Sequence, residues 1–138
     1  MARFYVDTSA YLAVLLGEDG ADTVALTLAD GQLLSSALLV LEVSRNLIRL
    51  SREGCLAPDE AHAAFERLGK DVEHFALRDL TLDLCSGTLF PALITPRSLD
   101  LAHLRTALWF HRQSPITRFV SLDERQLQAA RQLDLPVA

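Results

Sequence analysis

Apolar positions along the chain fall into two alternating patterns. Short runs the length of a strand are separated by longer segments in which apolar residues recur with helical spacing. The run RFYV, Arg3 to Val6, predicts a buried strand that ends at Asp7, and Thr8 to Leu16 follows as a helix with Ala10, Leu12, Val14 and Leu15 available for burial. A helix is expected over Ala21 to Ala29, a strand over Gln32 to Ser35, and a long helix over Ala37 to Arg52 that Gly54 ends. Pro58 opens a helix running to about Leu68. Beyond it the pattern predicts a strand over Glu73 to Leu77, helices over Leu80 to Phe90 and Ser98 to His111, a strand over Ile116 to Ser121, a helix over Glu124 to Leu133 and a final edge strand over Leu135 to Val137. Strands separated by helices imply a parallel sheet between two helical layers, because right-handed crossovers bury both of its faces. The expected fold is a three-layer α/β/α domain with about five strands.

A length of 138 residues suits one such domain and leaves little room for a second core. Half of the residues are hydrophobic and 22% are charged, and the apolar run Ala37 to Leu41 stops at Glu42, which argues against disorder and against a membrane span. Only three apolar residues separate Arg3 from Asp7, too few for a secretory signal, so the expected compartment is the cytoplasm. Cys55 and Cys85 are too few and too isolated for a disulfide framework or a metal knuckle, and read as buried reduced thiols. The net charge of −5 argues against a surface devoted entirely to polyanions, but the charge is uneven. Up to Phe90 there are 7 basic and 14 acidic residues; after it there are 6 and 4.

Four carboxylates change the picture. Asp7 follows the first strand, Asp123 follows the strand Ile116 to Ser121, and Asp100 lies in the first turn of the helix that begins near the cap Ser98. In an open parallel sheet these positions share the edge where ligands bind. Glu42 lies inside a helix, where Glu42, Arg45, Asn46 and Arg49 form a polar stripe apart from Leu39, Val43, Leu47 and Leu50. Each residue also has a purely structural role open to it. Asp7 and Asp123 suit helix N-caps, Asp100 suits the positive end of a helix dipole, and Glu42 could pair with Arg45 or Arg49. His103 reads as a packing residue and stays outside the set. Four carboxylates converging without a basic partner would repel one another unless a divalent cation joined them, and hard oxygen ligands select magnesium or manganese. No GxxxxGK[ST] loop and no HExxH segment occurs, which removes P-loop and zinc-hydrolase chemistry.

The segments FYVDTSAYLAVL, LLVLEVSRNLIR, RSLDLAHLRTAL and FVSLDERQLQAARQLDLPV resemble, in order and spacing, the PIN-domain ribonucleases, most nearly the VapC-like toxins of bacterial toxin–antitoxin pairs. The resemblance spans the chain; its one departure is the connection HRQSPITR, longer and more basic than usual. It implies a metal-dependent endoribonuclease in which Asp7, Glu42, Asp100 and Asp123 hold Mg2+ or Mn2+ and Ser9 and Ser121 lend polar support. Arg45, Arg49, Arg97, Arg105 and Arg118 are candidates to bind RNA phosphates beside an acidic site that cannot hold RNA unaided. The implied partners are RNA, a cognate antitoxin protein and a second copy of the chain. On the long helix Leu41 and Ile48 form an apolar strip away from the core face, and Tyr11, Leu15 and Leu16 leave the first helix more apolar than one buried face requires. These strips are expected to form a groove for an amphipathic antitoxin helix. Two alternatives stay open: a PIN-like binding module without catalysis, and a magnesium-dependent phosphoryl-transfer domain, which would want a second carboxylate near Asp7 and a later lysine, where Lys70 is the only one.

Overall fold

The structure is a computed structural model and describes residues 1–86, 93–94 and 97–137. Its strands are β1 (Arg3–Val6), β2 (Gln32–Ser36), β3 (Phe75–Arg78) and β4 (Arg118–Val120), and its helices are α1 (Thr8–Leu16), α2 (Ala21–Leu28), α3 (Leu38–Arg52), α4 (Pro58–Val72), α5 (Leu82–Cys85), α6 (Ser98–Gln113) and α7 (Glu124–Gln132). All strand pairs are parallel, in the order β3-β2-β1-β4, with Tyr5 in register with Leu34 on one side and Phe119 on the other.

Period-two alternation in β1 divides the core. Phe4 and Val6 pack with Val24, Leu39, Val43, Leu47 and Leu68 beneath α1 to α4. Tyr5 points the other way, joining Leu104, Ala107, Phe110, Phe119 and Ala129 beneath α6 and α7. The sheet therefore lies between two helical layers. Chain order reverses at β1, whose neighbours are β2 and β4, and that reversal places the switch point of the fold at the carboxyl ends of β1 and β4.

Local chemistry explains the helix limits. Gly17 ends α1 at φ 65°, a left-handed conformation that glycine adopts without a Cβ clash, and Pro58 supplies the first residue of α4. Four expectations need correction. Leu135 to Val137 is not a strand: Phe119 N–H donates to Pro136 O at 2.7 Å, but proline has no N–H to return, so the described sheet has four strands. The helix expected over Leu80 to Phe90 is reduced to the single turn of α5, ended by extended Ser86, and residues 87–90 lie outside the described residues. Both cysteines are exposed rather than buried, Cys55 in the turn after Gly54 and Cys85 at the end of α5. Tyr11 is buried, its hydroxyl donating to Asp71 Oδ2 at 2.7 Å and its ring edge-on to Phe75, so it forms no part of an outer strip. Leu41 and Ile48 do stand outside the core, 68% and 55% exposed.

Candidate active site

Asp7 sits where β1 becomes α1. Its backbone N–H extends the β1–β4 pairing to Val120 O at 3.1 Å, and its carboxylate turns back to cap α1. Asp7 Oδ1 accepts from Ala10 N at 3.1 Å and from Ser9 Oγ at 2.7 Å. The residue is only 5% exposed, and burial raises its carboxyl above the usual range despite the opposing hydrogen bonds from Ser121, Ser9 and Ala10 and the nearby His103.

Ser121, the residue after β4, continues the site across the switch point. Its Oγ lies 3.2 Å from Ser9 Oγ and accepts from Asp123 N at 3.0 Å, while Ser9 Oγ accepts from Leu122 N at 3.0 Å. Asp123 Oδ1 then accepts from Arg125 N at 3.0 Å as the cap of α7. Both aspartates are therefore helix caps, as the sequence allowed. Two linked serines hold the loops that carry them.

Asp100 stands in the first turn of α6, a helix whose cap is Arg97, not Ser98, with no side-chain capping bond. From α7 the fully buried Gln126 donates through Nε2 to Asp100 O at 3.0 Å, tying that turn to the helix that follows Asp123. Glu42 reaches the same region from the side of α3. Its Oε1 accepts from Thr8 Oγ1 at 2.8 Å and from His103 Nε2 at 2.7 Å. The four acidic side chains thus come from four separate segments at one edge of the sheet. As positioned, no three Asp, Glu, His or Cys groups among the described residues are near enough together to hold an ion, and Glu42 is engaged by His103 and Thr8. The donor chemistry nevertheless fits a hard divalent cation. Asp7 is desolvated, Asp7 and Glu42 each act electrostatically on Tyr5, and neither is paired with an arginine or lysine among the described residues.

Comparison with known proteins identifies the family. The PIN domain model matches residues 4–132. The chain belongs to the PIN-domain family. It is also 32% identical over 136 residues to proteins named Ribonuclease VapC35 from two strains of Mycobacterium tuberculosis, covering 96% of this chain and 93% of theirs.

The candidate site contains groups to which the sequence pattern assigned no part in it. His103 was read as a packing residue, yet at 3% exposure it bonds Glu42, and its Nδ1 lies 2.7 Å from the Tyr5 hydroxyl. The available signal was its position one helical turn after Asp100, on a helix packed against the strand that carries Tyr5. The arginine candidates divide by position. Arg45 is exposed on α3; Arg49 bonds Glu53 and Asn46; Arg97 is exposed at the head of α6; and Arg105 donates to Ser86 O at 2.8 Å. Arg118 begins β4, at the far end of the strand from Ser121, and its Nε donates to Val137 O. No helix among the described residues is long and apolar enough to cross a membrane.

Proposed function

We propose that this PIN domain is a divalent-metal-dependent endoribonuclease, the toxin of a toxin–antitoxin pair, acting in the cytoplasm. What supports this reading is that Asp7, Glu42, Asp100 and Asp123 come from four segments that begin or end at the switch-point edge, with Asp7 buried and, among the described residues, paired with no arginine or lysine. Asp7, Glu42, Asp100 and Asp123 would hold magnesium or manganese. Bound there, the ion would supply Lewis-acid activation of the scissile phosphate and of a water nucleophile. The chain itself supplies position. Ser9 and Ser121 fix the loops carrying Asp7 and Asp123, Gln126 fixes the turn carrying Asp100, and Thr8 and His103 hold the Glu42 carboxylate. Arg45, Arg49 and Arg97 are proposed to meet phosphates beside the acidic edge.

The resemblance of this chain to proteins named Ribonuclease VapC35 supports RNA as the substrate. The exposed Leu41 and Ile48 support an antitoxin helix as a partner, with a second copy of the chain on another helical face. One observation favours a second reading, a PIN-like module that binds RNA without cutting it: Glu42 is already engaged by His103 and Thr8. Incubating purified protein with structured RNA in magnesium or in EDTA separates the two. The nuclease reading requires fragments in magnesium alone. The binding reading requires a shifted, intact RNA in both.

A further inference from the structure

Away from the acidic edge, α6 carries a second concentration of nucleic-acid chemistry. Arg105, Trp109 and Arg112 recur at helical spacing on one face, and with Leu84 and Asp83 of α5 they line a depression of about 140 Å³. A second depression of about 350 Å³ shares Leu84 and Arg105 and continues toward the start of α6 past Leu101 and Leu99. The two form one trough between α5 and α6. It begins at the helical turn that carries Asp100 and runs about 16 Å from Leu101 to Arg112.

The trough is locally positive in a chain of net charge −5. Arg105 and Arg112 face it, and Arg78 lies over the Trp109 ring at 4.7 Å while pairing with Asp83 at 3.1 Å. Asp83 is the one carboxylate among the described lining residues, and Arg78 offsets it. Trp109 is partly exposed, and its edge-on contact with Phe110 together with the Arg78 cover holds the ring in place. A fixed aromatic ring between two arginines one to two turns apart matches the pattern of a base-stacking surface flanked by phosphate contacts.

We infer that the α5–α6 trough binds single-stranded RNA beyond the cleavage point, with a base against Trp109 and phosphates on Arg105 and Arg112. The inference rests on the ribonuclease reading for the identity of the strand. Its test does not depend on cleavage. Trp109 is the only tryptophan in the chain, so tryptophan emission arises from this position alone.

Titrating the full-length protein in EDTA with a single-stranded RNA octamer should quench that fluorescence saturably. With two phosphate contacts, the logarithm of the affinity should fall with the logarithm of salt with a slope of about −1.4. Arg112→Glu places a substitution at an exposed position that leaves the core untouched. It should weaken the octamer about tenfold and halve the salt slope, with an unchanged far-ultraviolet circular dichroism spectrum. A fluorescence signal indifferent to RNA overturns the inference, as does quenching that Arg112→Glu leaves unaltered. So does a spectral shift that follows protein concentration without RNA, which would mark the face as a contact between copies. Cleavage of a long RNA in magnesium, measured on the same preparation, separates this result from the parent reading. Cutting with a silent Trp109 removes the trough alone, whereas quenching without cutting keeps the trough and removes the nuclease.

Discussion

His103 on α6 and Glu42 on α3 approach to 2.7 Å, bridging the two helical layers at the carboxyl edge of the sheet. Tyr5, within the strand between those layers, reaches His103 from the other side, with its hydroxyl 2.7 Å from Nδ1. A central strand, a helix from each face and a candidate ligand are thus connected through one imidazole. A buried His103 holds Glu42 in place as a positioning residue.

Tyr5→Phe tests that chain. The substitution keeps the ring stacked on Phe119 but removes the partner of a buried imidazole nitrogen. Leaving such a group unsatisfied costs about 1–3 kcal/mol. Urea unfolding should therefore show a lower midpoint with an unchanged slope. An unchanged midpoint would mean that the Tyr5–His103 hydrogen bond contributes nothing to stability.

The alternation of strand and helix patterns was legible because each core face is written at its own period: Phe4 and Val6 against Tyr5, and Leu39, Val43 and Leu47 on α3. Capping was legible for the same local reason, since Asp7 and Asp123 directly precede their helices. The last strand was not, because Leu135 to Val137 has strand-like residues while Pro136 denies it a ladder. The acidic residues could be located one by one. Their polar support could not, because His103, Tyr5 and Gln126 act across distances of 61 to 98 residues or between two helices that only the fold brings together.

Asp7→Asn should stabilise the metal-free protein at neutral pH. Burial raises the Asp7 carboxyl in the folded state, so folding favours its protonated form. The stabilising contribution of that group is complete below the ordinary carboxylate range and is lost as pH rises through the raised folded value. Asparagine keeps the acceptor for Ala10 N and carries no charge. In EDTA the variant should melt higher than the parent at pH 7, with each 1 kcal/mol worth about 4 °C, and the difference should vanish below about pH 4. Equal melting temperatures at pH 7 would show that the buried charge costs the fold nothing.

Leu41→Ser combined with Ile48→Ser should weaken capture by the antitoxin. Both side chains stand largely in solvent, so the change in stability should stay within about 0.5 kcal/mol. The measurement is a pull-down with the product of the adjacent reading frame, using a double variant that melts like the parent. Undiminished capture would place the antitoxin on another face.

The most direct measurement is magnesium-dependent cleavage of RNA by purified protein, with Asp7→Asn and Glu42→Gln beside the parent. Both substitutions preserve size and hydrogen bonding while removing a charge that a divalent ion needs. The parent should cut in magnesium or manganese and stop in EDTA, and each variant should lose at least about 100-fold in rate with its fold intact. Cleavage at the parental rate by a folded Asp7→Asn protein would contradict the account.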